Sequence, residues 1–263
     1  RKKQLFDADM KTTPLIDPQA DSLLGDLLLH SNRADDAEPY LSRAIAGEPN
    51  SVLANTAMGM VKMRQRKWDE AKKFLDVAVT GGPNSHLPYY RYAYLLSREG
   101  RDEFGMTTTY TKETAERMRT LLRKAINISP SFTESHELLA FVNIVTNEEL
   151  DEAVTVLRDA MKFQPHNQRY QLRIAEALVR QKKTADALVI AEKLVATASD
   201  EALKSRADSI LTYARSLSEY EKRRADLEIQ RATTTTSMSA EYVTKEHPEA
   251  GKLTAEANRM RLS

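Results

Sequence analysis

No cysteine occurs among the 263 residues. That excludes a disulfide framework, a thiolate nucleophile and any cysteine-based metal centre, and it fits every compartment equally. No stretch approaches the ~18 consecutive apolar residues of a membrane-spanning helix. Net charge is also lacking: 39 Lys+Arg stand against 38 Asp+Glu, leaving +1. A general polyanion-binding surface needs a concentrated basic face, so no nucleic-acid partner is expected. Glycine-rich phosphate loops are absent, since Gly81-Gly82 precedes Pro83 and reads as a turn. The histidines His30, His86, His166 and His247 lack ligand spacing. The nearest approach to a zinc-protease helix is His136-Glu137-Leu138-Leu139-Ala140, which has alanine where the second histidine must stand four residues on. No enzyme, metal or cofactor chemistry is therefore expected.

What the chain does have is a sentence written twice. At an offset of 34 residues, Gly25 meets Gly59, Ala37 meets Ala71, Leu41 meets Leu75, Ala44 meets Ala78 and Pro49 meets Pro83. A period in this range marks a helical repeat array. Within each unit the small residues mark where two helices cross too closely for a larger side chain, and the proline follows the second helix, which it cannot continue. At these positions the chain resembles the tetratricopeptide repeat (TPR) family, with Leu24-Gly25, Ala37, Leu41, Ala44 and Pro49 carrying its pattern. The tryptophan common early in such repeats is replaced by Asp21 and Asn55.

Read in order, residues 1–17 form a lead-in with a short basic start, punctuated by Pro14. Because the chain opens on Arg1, it is expected to be a fragment or processed product, and its compartment is open. Repeats occupy 18–51, 52–85, 86–132, 133–167 and 168–199. Trp68 is expected in the seam between repeats. The third repeat is longer by an insertion at 100–112, whose Phe104, Met106 and Tyr110 either pack locally or form a flap over a ligand. Thr146 and Glu149 have capping-box spacing. A capping helix is expected at 200–231, with Leu203, Ala207, Ile210, Leu211, Ala214 and Leu217 on one face. The threonines 233–236 read as a break, and 232–263 as a flexible or loosely docked tail that could hold a short helix at 250–262.

The resemblance implies an all-α, right-handed TPR-like solenoid of about five hairpins plus a capping helix, in which the first helix of each pair lines a concave groove. Helical geometry places repeat positions near 2, 5, 9, 12 and 13 on that face. The candidate groove is then Met60, Met63, Arg64, Tyr90, Arg91, Tyr94, Arg98 and Phe141. Rigid aromatics, adaptable thioethers and forked guanidiniums are side chains that hold peptides. The alternative is that the tyrosines only pack on neighbouring helices. TPR co-chaperones grip a C-terminal carboxylate with lysines, asparagines and an arginine. Here those places are Ser22, Asp26, Ala57, Leu87 and Arg91, and only Arg91 fits.

The runs at 23–30, 96–106, 113–119 and 137–146 also resemble TPR arrays of bacterial, notably acidobacterial, proteins in which the array follows a peptidase-MA-like domain. That resemblance implies an upstream domain holding any zinc motif. The expected function is a non-catalytic protein-interaction module taking a protein or peptide ligand. The alternative is a homo-oligomerisation or spacer module of a larger peptidase-like protein.

Overall fold

The computed structural model describes residues 17–99 and 110–246, with side chains described for 17–98 and 110–234. These form two compact units divided after Gln181. Among the described residues the regular structure is entirely helical. The first unit holds α1 (Pro18–His30), α2 (Ala34–Gly47), α3 (Val52–Arg64), α4 (Trp68–Thr80), α5 (His86–Glu99), α6 (Lys112–Ile128), α7 (Thr133–Thr146), α8 (Leu150–Phe163) and α9 (Gln168–Arg180). The second unit holds α10 (Thr184–Thr197) and α11 (Glu201–Glu246).

The two helices of a hairpin start differently. Several first helices open on a side-chain cap: Asp17 accepts from the backbone N–H of Gln19 and Ala20, Ser51 from Ala54, and Asn167 from Arg169. Each cap satisfies donors that the first turn leaves unpaired. Second helices α2 and α4 have no side-chain cap. They follow three-residue turns whose middle residue is left-handed, Asn32 and Arg66, both at φ 60°. That conformation costs a non-glycine residue about 1 kcal/mol and holds the hairpin tight.

Tightness is needed because the helices touch. A Cβ on Gly25 would lie 2.5 Å from the Leu41 side chain, and one on Gly59 would lie 2.6 Å from Leu75. Ala37, Leu41 and Ala44 are wholly buried, as are Ala71, Leu75 and Ala78, and Ala153, Leu157 and Ala160. The recurrence seen in the sequence is thus the helix–helix contact itself.

Hairpins α1–α2, α3–α4, α5–α6 and α7–α8 stack in chain order. Successive first helices touch (α1 with α3, α3 with α5, α5 with α7, α7 with α9), and α3, α5, α7 and α9 each also receive the second helix before them. The odd-numbered helices of the first unit therefore make a continuous wall. One core cluster lies around Leu29, Leu41, Met58 and Val61, and a larger one runs from Met63 through Leu96 and Leu122 to Val142. Trp68 packs half-buried on the larger cluster.

Polar latches close the seams. Lys62 Nζ on α3 donates to Glu38 on α2 at 2.6 Å and pairs with Glu70 on α4 at 3.2 Å. The hydrogen bond from Lys62 is the main reason the Glu38 carboxyl is held below its ordinary value. Further along, the fully buried Arg119 of α6 donates Nε to Asn143 at 2.8 Å, Nη1 to Glu116 at 2.7 Å, and Nη2 to Thr146 and Glu148 at 2.7 and 2.8 Å. Arg123 pairs with Glu149 and Glu152 beside it.

This cluster overrides the capping box expected at Thr146 and Glu149. Thr146 ends α7, its hydroxyl donating back to the Val142 carbonyl. Glu149 sits in a left-handed conformation at φ 47° with no cap bond, its carboxylate turned to Arg123. Two strong guanidinium partners outweigh one cap hydrogen bond.

Residues 100–109 of the insertion lie outside the described residues. Tyr110, near its end, is buried, and its hydroxyl donates to the Ser97 carbonyl at 3.1 Å, so this end of the insertion packs on α5. In the second unit, Ala187, Ala191 and Leu194 of α10 and Leu203, Ala207, Leu211 and Ala214 of α11 are buried where the two helices pack. The expected break at the threonines does not occur. Thr233 and Thr234 hydroxyls bond back to the carbonyls of Ile229 and Gln230, and α11 continues to Glu246. Such back-bonding satisfies a threonine inside a helix, and its low propensity costs only a few tenths of a kcal/mol per residue, roughly. The short helix considered at 250–262 lies outside the described residues.

Candidate partner-binding face

The wall of first helices carries a half-buried apolar strip. Met60 on α3, Tyr90 and Tyr94 on α5 and Phe141 on α7 all pack against the larger core cluster while keeping part of their surface open. The Tyr90 and Tyr94 rings stack with centroids 6.2 Å apart. Phe132, in the turn before α7, meets Tyr90 edge-on at 5.0 Å, and His86 lies 4.5 Å from Phe132. These contacts hold the rings against one another.

Guanidinium groups border the strip. Arg91 Nη1 reaches the Met60 sulfur at 4.0 Å. Arg173 of α9 lies over the Phe141 ring at 5.3 Å and pairs with Glu176. Arg64 is exposed at the end of α3, with Nη1 3.3 Å from Asn32 Oδ1, and Arg98 is half-buried in the last turn of α5. Acidic side chains lie near Tyr90 as well, Glu134 exposed and Glu137 half-exposed on α7. Burial pushes the Tyr90 phenol above its ordinary value, partly offset by Arg91. The face is a mixed one, apolar along its middle and charged with both signs at its edges.

The structure brings together Met60, Tyr90, Arg91, Tyr94 and Phe141 and leaves Arg64 and Arg98 at helix ends. Met63 is elsewhere: it is buried in the core. The reason is general to the array. Met63 holds the twelfth position of its repeat, and the residues there in the other four, Leu29, Ser97, Ile144 and Val179, are buried too. Sequence reasoning missed Phe132, His86 and Arg173. The signal for Phe132 was available, as an aromatic residue two places after the repeat-closing Pro130.

His136 occupies the early first-helix position where such repeats often carry tryptophan. It is buried, and burial holds its imidazole below the ordinary value. The same position holds Asp21, which accepts two bonds from Arg43 (2.5 and 3.0 Å), and Asn55, which donates to the carbonyls of Pro49 and Ser51. Among the described residues no three His, Asp or Glu side chains gather as a metal site, and no helix is long and apolar enough to cross a membrane.

Tetratricopeptide-repeat family models match residues 17–98 and residues 145–202. With the hairpin stack, the close glycine contacts and the wall of first helices, these matches make the chain a TPR protein, a class whose members act through protein partners and are typically non-catalytic. No curated protein sequence matches it. Among solved structures it is similar to YrrB, described as a TPR protein with an unusual peptide-binding site. YrrB is 17% identical at a TM-score of 0.61, over 78% of this chain and 97% of YrrB. It is also similar to PilF of Pseudomonas aeruginosa, 15% identical at 0.54 over 91% and 97% of the two chains. A third likeness is to MamA from residue 41 onward of Desulfovibrio magneticus RS-1, 16% identical at 0.53 over 67% and 92%. At such identities the likeness is one of fold.

Proposed function

We propose that the first unit captures a peptide or partner helix along the wall of first helices, with Met60, Tyr90, Tyr94 and Phe141 as apolar anchors. Arg91, Arg64 and Arg98 hold its acidic or carbonyl groups. The observation that supports this reading is that Met60, Tyr90, Tyr94 and Phe141, on three consecutive first helices, are each partly exposed beside one core cluster, with Tyr90 stacked on Tyr94 and Arg91 against Met60. Rigid aromatics in such a setting give contact area at little entropic cost, and a few of them dominate binding energy. The peptide-binding site described for YrrB supports the reading, as an instance of this fold holding a peptide. Met63 is not counted among the anchors, since it faces inward.

Selection of displayed peptides on the intact chain tests the reading. Selected peptides should bind the wild type and lose about 30-fold or more in affinity to Tyr90→Ala/Tyr94→Ala, as expected for two central anchors. Equal binding to both proteins refutes the site.

A second reading, pairing of two copies, is favoured by the free part of α11. Tyr213, Tyr220 and Leu227 lie seven residues apart and are each more than half exposed, which is the spacing of a helix–helix seam. The peptidase-MA-like association implied by resemblance gains no support from the family matches, which are to repeats alone.

A further inference from the structure

The wall of first helices already holds one guanidinium over an aromatic ring. Arg173 lies 5.3 Å from the Phe141 ring centre, and Glu176 accepts from its Nη1 at 2.9 Å. A cation in such a place is met by a ring face and by a carboxylate. One hairpin earlier the rings and the carboxylates recur. Tyr94 holds the repeat position of Phe141, Tyr90 stacks on it, and Phe132 meets Tyr90 at an interplanar angle of 80°. All three rings are partly exposed. Glu134 and Glu137 of α7 are near enough to act on Tyr90, adding to the upward push of burial, and Glu134 partly offsets the lowering of His86 by burial. The cation does not recur. Leu138 stands where Arg173 stands in the next repeat, and Arg91 turns its guanidinium to the Met60 sulfur on α3. Among the described residues, neither Glu134 nor Glu137 has a hydrogen-bond or ion-pair partner.

We propose, resting on the peptide-capture reading above, that this corner takes a lysine or arginine side chain of the bound peptide, seated against Tyr90, Tyr94 and Phe132 with its charge met by Glu134 and Glu137. A long cationic side chain suits half-buried rings, because its methylene stem covers apolar surface while its head stays at the carboxylates. An acidic side chain would be repelled there. Burial keeps the His86 imidazole below its ordinary value, so at neutral pH it adds no positive charge to the corner. The peptide then lies with acidic or carbonyl groups toward α3, where Arg64 and Arg91 stand, and with a basic residue toward α7. Opposite charges at the two ends of one strip set the direction and register of a ligand.

Immobilised pools of end-capped peptides test this, each pool random except for one fixed central residue and free of Lys and Arg elsewhere. The intact wild-type chain should bind pools centred on Lys or Arg about fivefold or more tighter than pools centred on norleucine or Glu. In Glu134→Gln/Glu137→Gln, with folding checked by circular dichroism, the preference for Lys or Arg over norleucine should drop below about twofold. Two results overturn the inference and leave the peptide reading standing. One is binding that Tyr90→Ala/Tyr94→Ala abolishes but that shows no preference for a central cation. The other is a preference that survives Glu134→Gln/Glu137→Gln. Binding that Tyr90→Ala/Tyr94→Ala leaves unchanged, or no binding to any pool, overturns both.

Discussion

Replacing Arg119 by methionine tests how the seam between the third and fourth hairpins is held. Methionine keeps much of the aliphatic length, so the cavity is small and the loss falls on the hydrogen bonds. Glu116 and Glu148 are each about half exposed, at 49%, and rehydrate when the guanidinium goes, so together they cost ~1 kcal/mol or less. Thr146 keeps its bond to the Val142 carbonyl. Asn143 is different. It is wholly buried, and its Oδ1 accepts from Arg119 Nε, so the substitution leaves a buried acceptor without that donor at ~1–3 kcal/mol. The expected loss is therefore about 1–4 kcal/mol. Asn143→Leu alone removes the acceptor but strands Arg119 Nε, whereas Arg119→Met/Asn143→Leu removes both partners. The double variant should be about 1–2 kcal/mol more stable than the sum of the two single effects. Urea unfolding followed by circular dichroism, with an unchanged m-value, measures all three. Additive effects, or an Arg119→Met curve that overlays the wild type, would refute the reasoning.

Other outcomes follow from the same structure. Gly59→Ala places a methyl group 2.6 Å from Leu75, and Ala71→Leu and Ala93→Trp overfill wholly buried sites; each should cost ~1–3 kcal/mol, read from the fluorescence of the single Trp68 during denaturation for the first two and from circular dichroism for Ala93→Trp, which adds a second tryptophan. Burial holds the His136 imidazole below its unfolded value, so between those two values the unfolded chain binds more protons and stability falls as pH drops below ~6.5. His136→Phe should reduce that slope in thermal melts between pH 7.5 and 5, leaving the part due to His86, whose imidazole burial also lowers. If two copies pair through α11, Tyr220→Glu/Leu227→Glu should convert a dimer to a monomer by light scattering with the melt unchanged. A wild type monomeric at high concentration removes that reading.

Much of the first unit was legible in the sequence because its packing is written in small residues. Gly25 and Gly59 had to be small to admit Leu41 and Leu75, and nothing else in the chain explains their spacing. The insertion showed as a surplus in the distance from Pro83 to Pro130, and Tyr110 packs back as its apolar character suggested. Side-chain direction was less legible. Helical periodicity puts the twelfth position at the edge of the wall, and only the neighbouring repeat decides that Met63 turns inward. Local signals also yielded to distant partners. The capping spacing at Thr146 and Glu149 was overridden by Arg119 and Arg123, which lie a hairpin away in sequence. The threonines of α11 carried a weak local preference, which back-bonding to Ile229 and Gln230 accommodates. Most of the candidate face could be named from position alone, but Phe132 and Arg173 joined it through contacts that no single repeat contains.

The central claim, capture of a peptide along the wall of first helices, is tested most directly by methionine-methyl NMR of the intact chain titrated with a selected peptide. Met60 lies half-open on the proposed strip, while Met58 and Met118 are core residues. The account predicts that the Met60 methyl shifts in a saturable way, that Met58 and Met118 hold still, and that Tyr90→Ala/Tyr94→Ala abolishes the shift. A saturating peptide that leaves Met60 unmoved would contradict it.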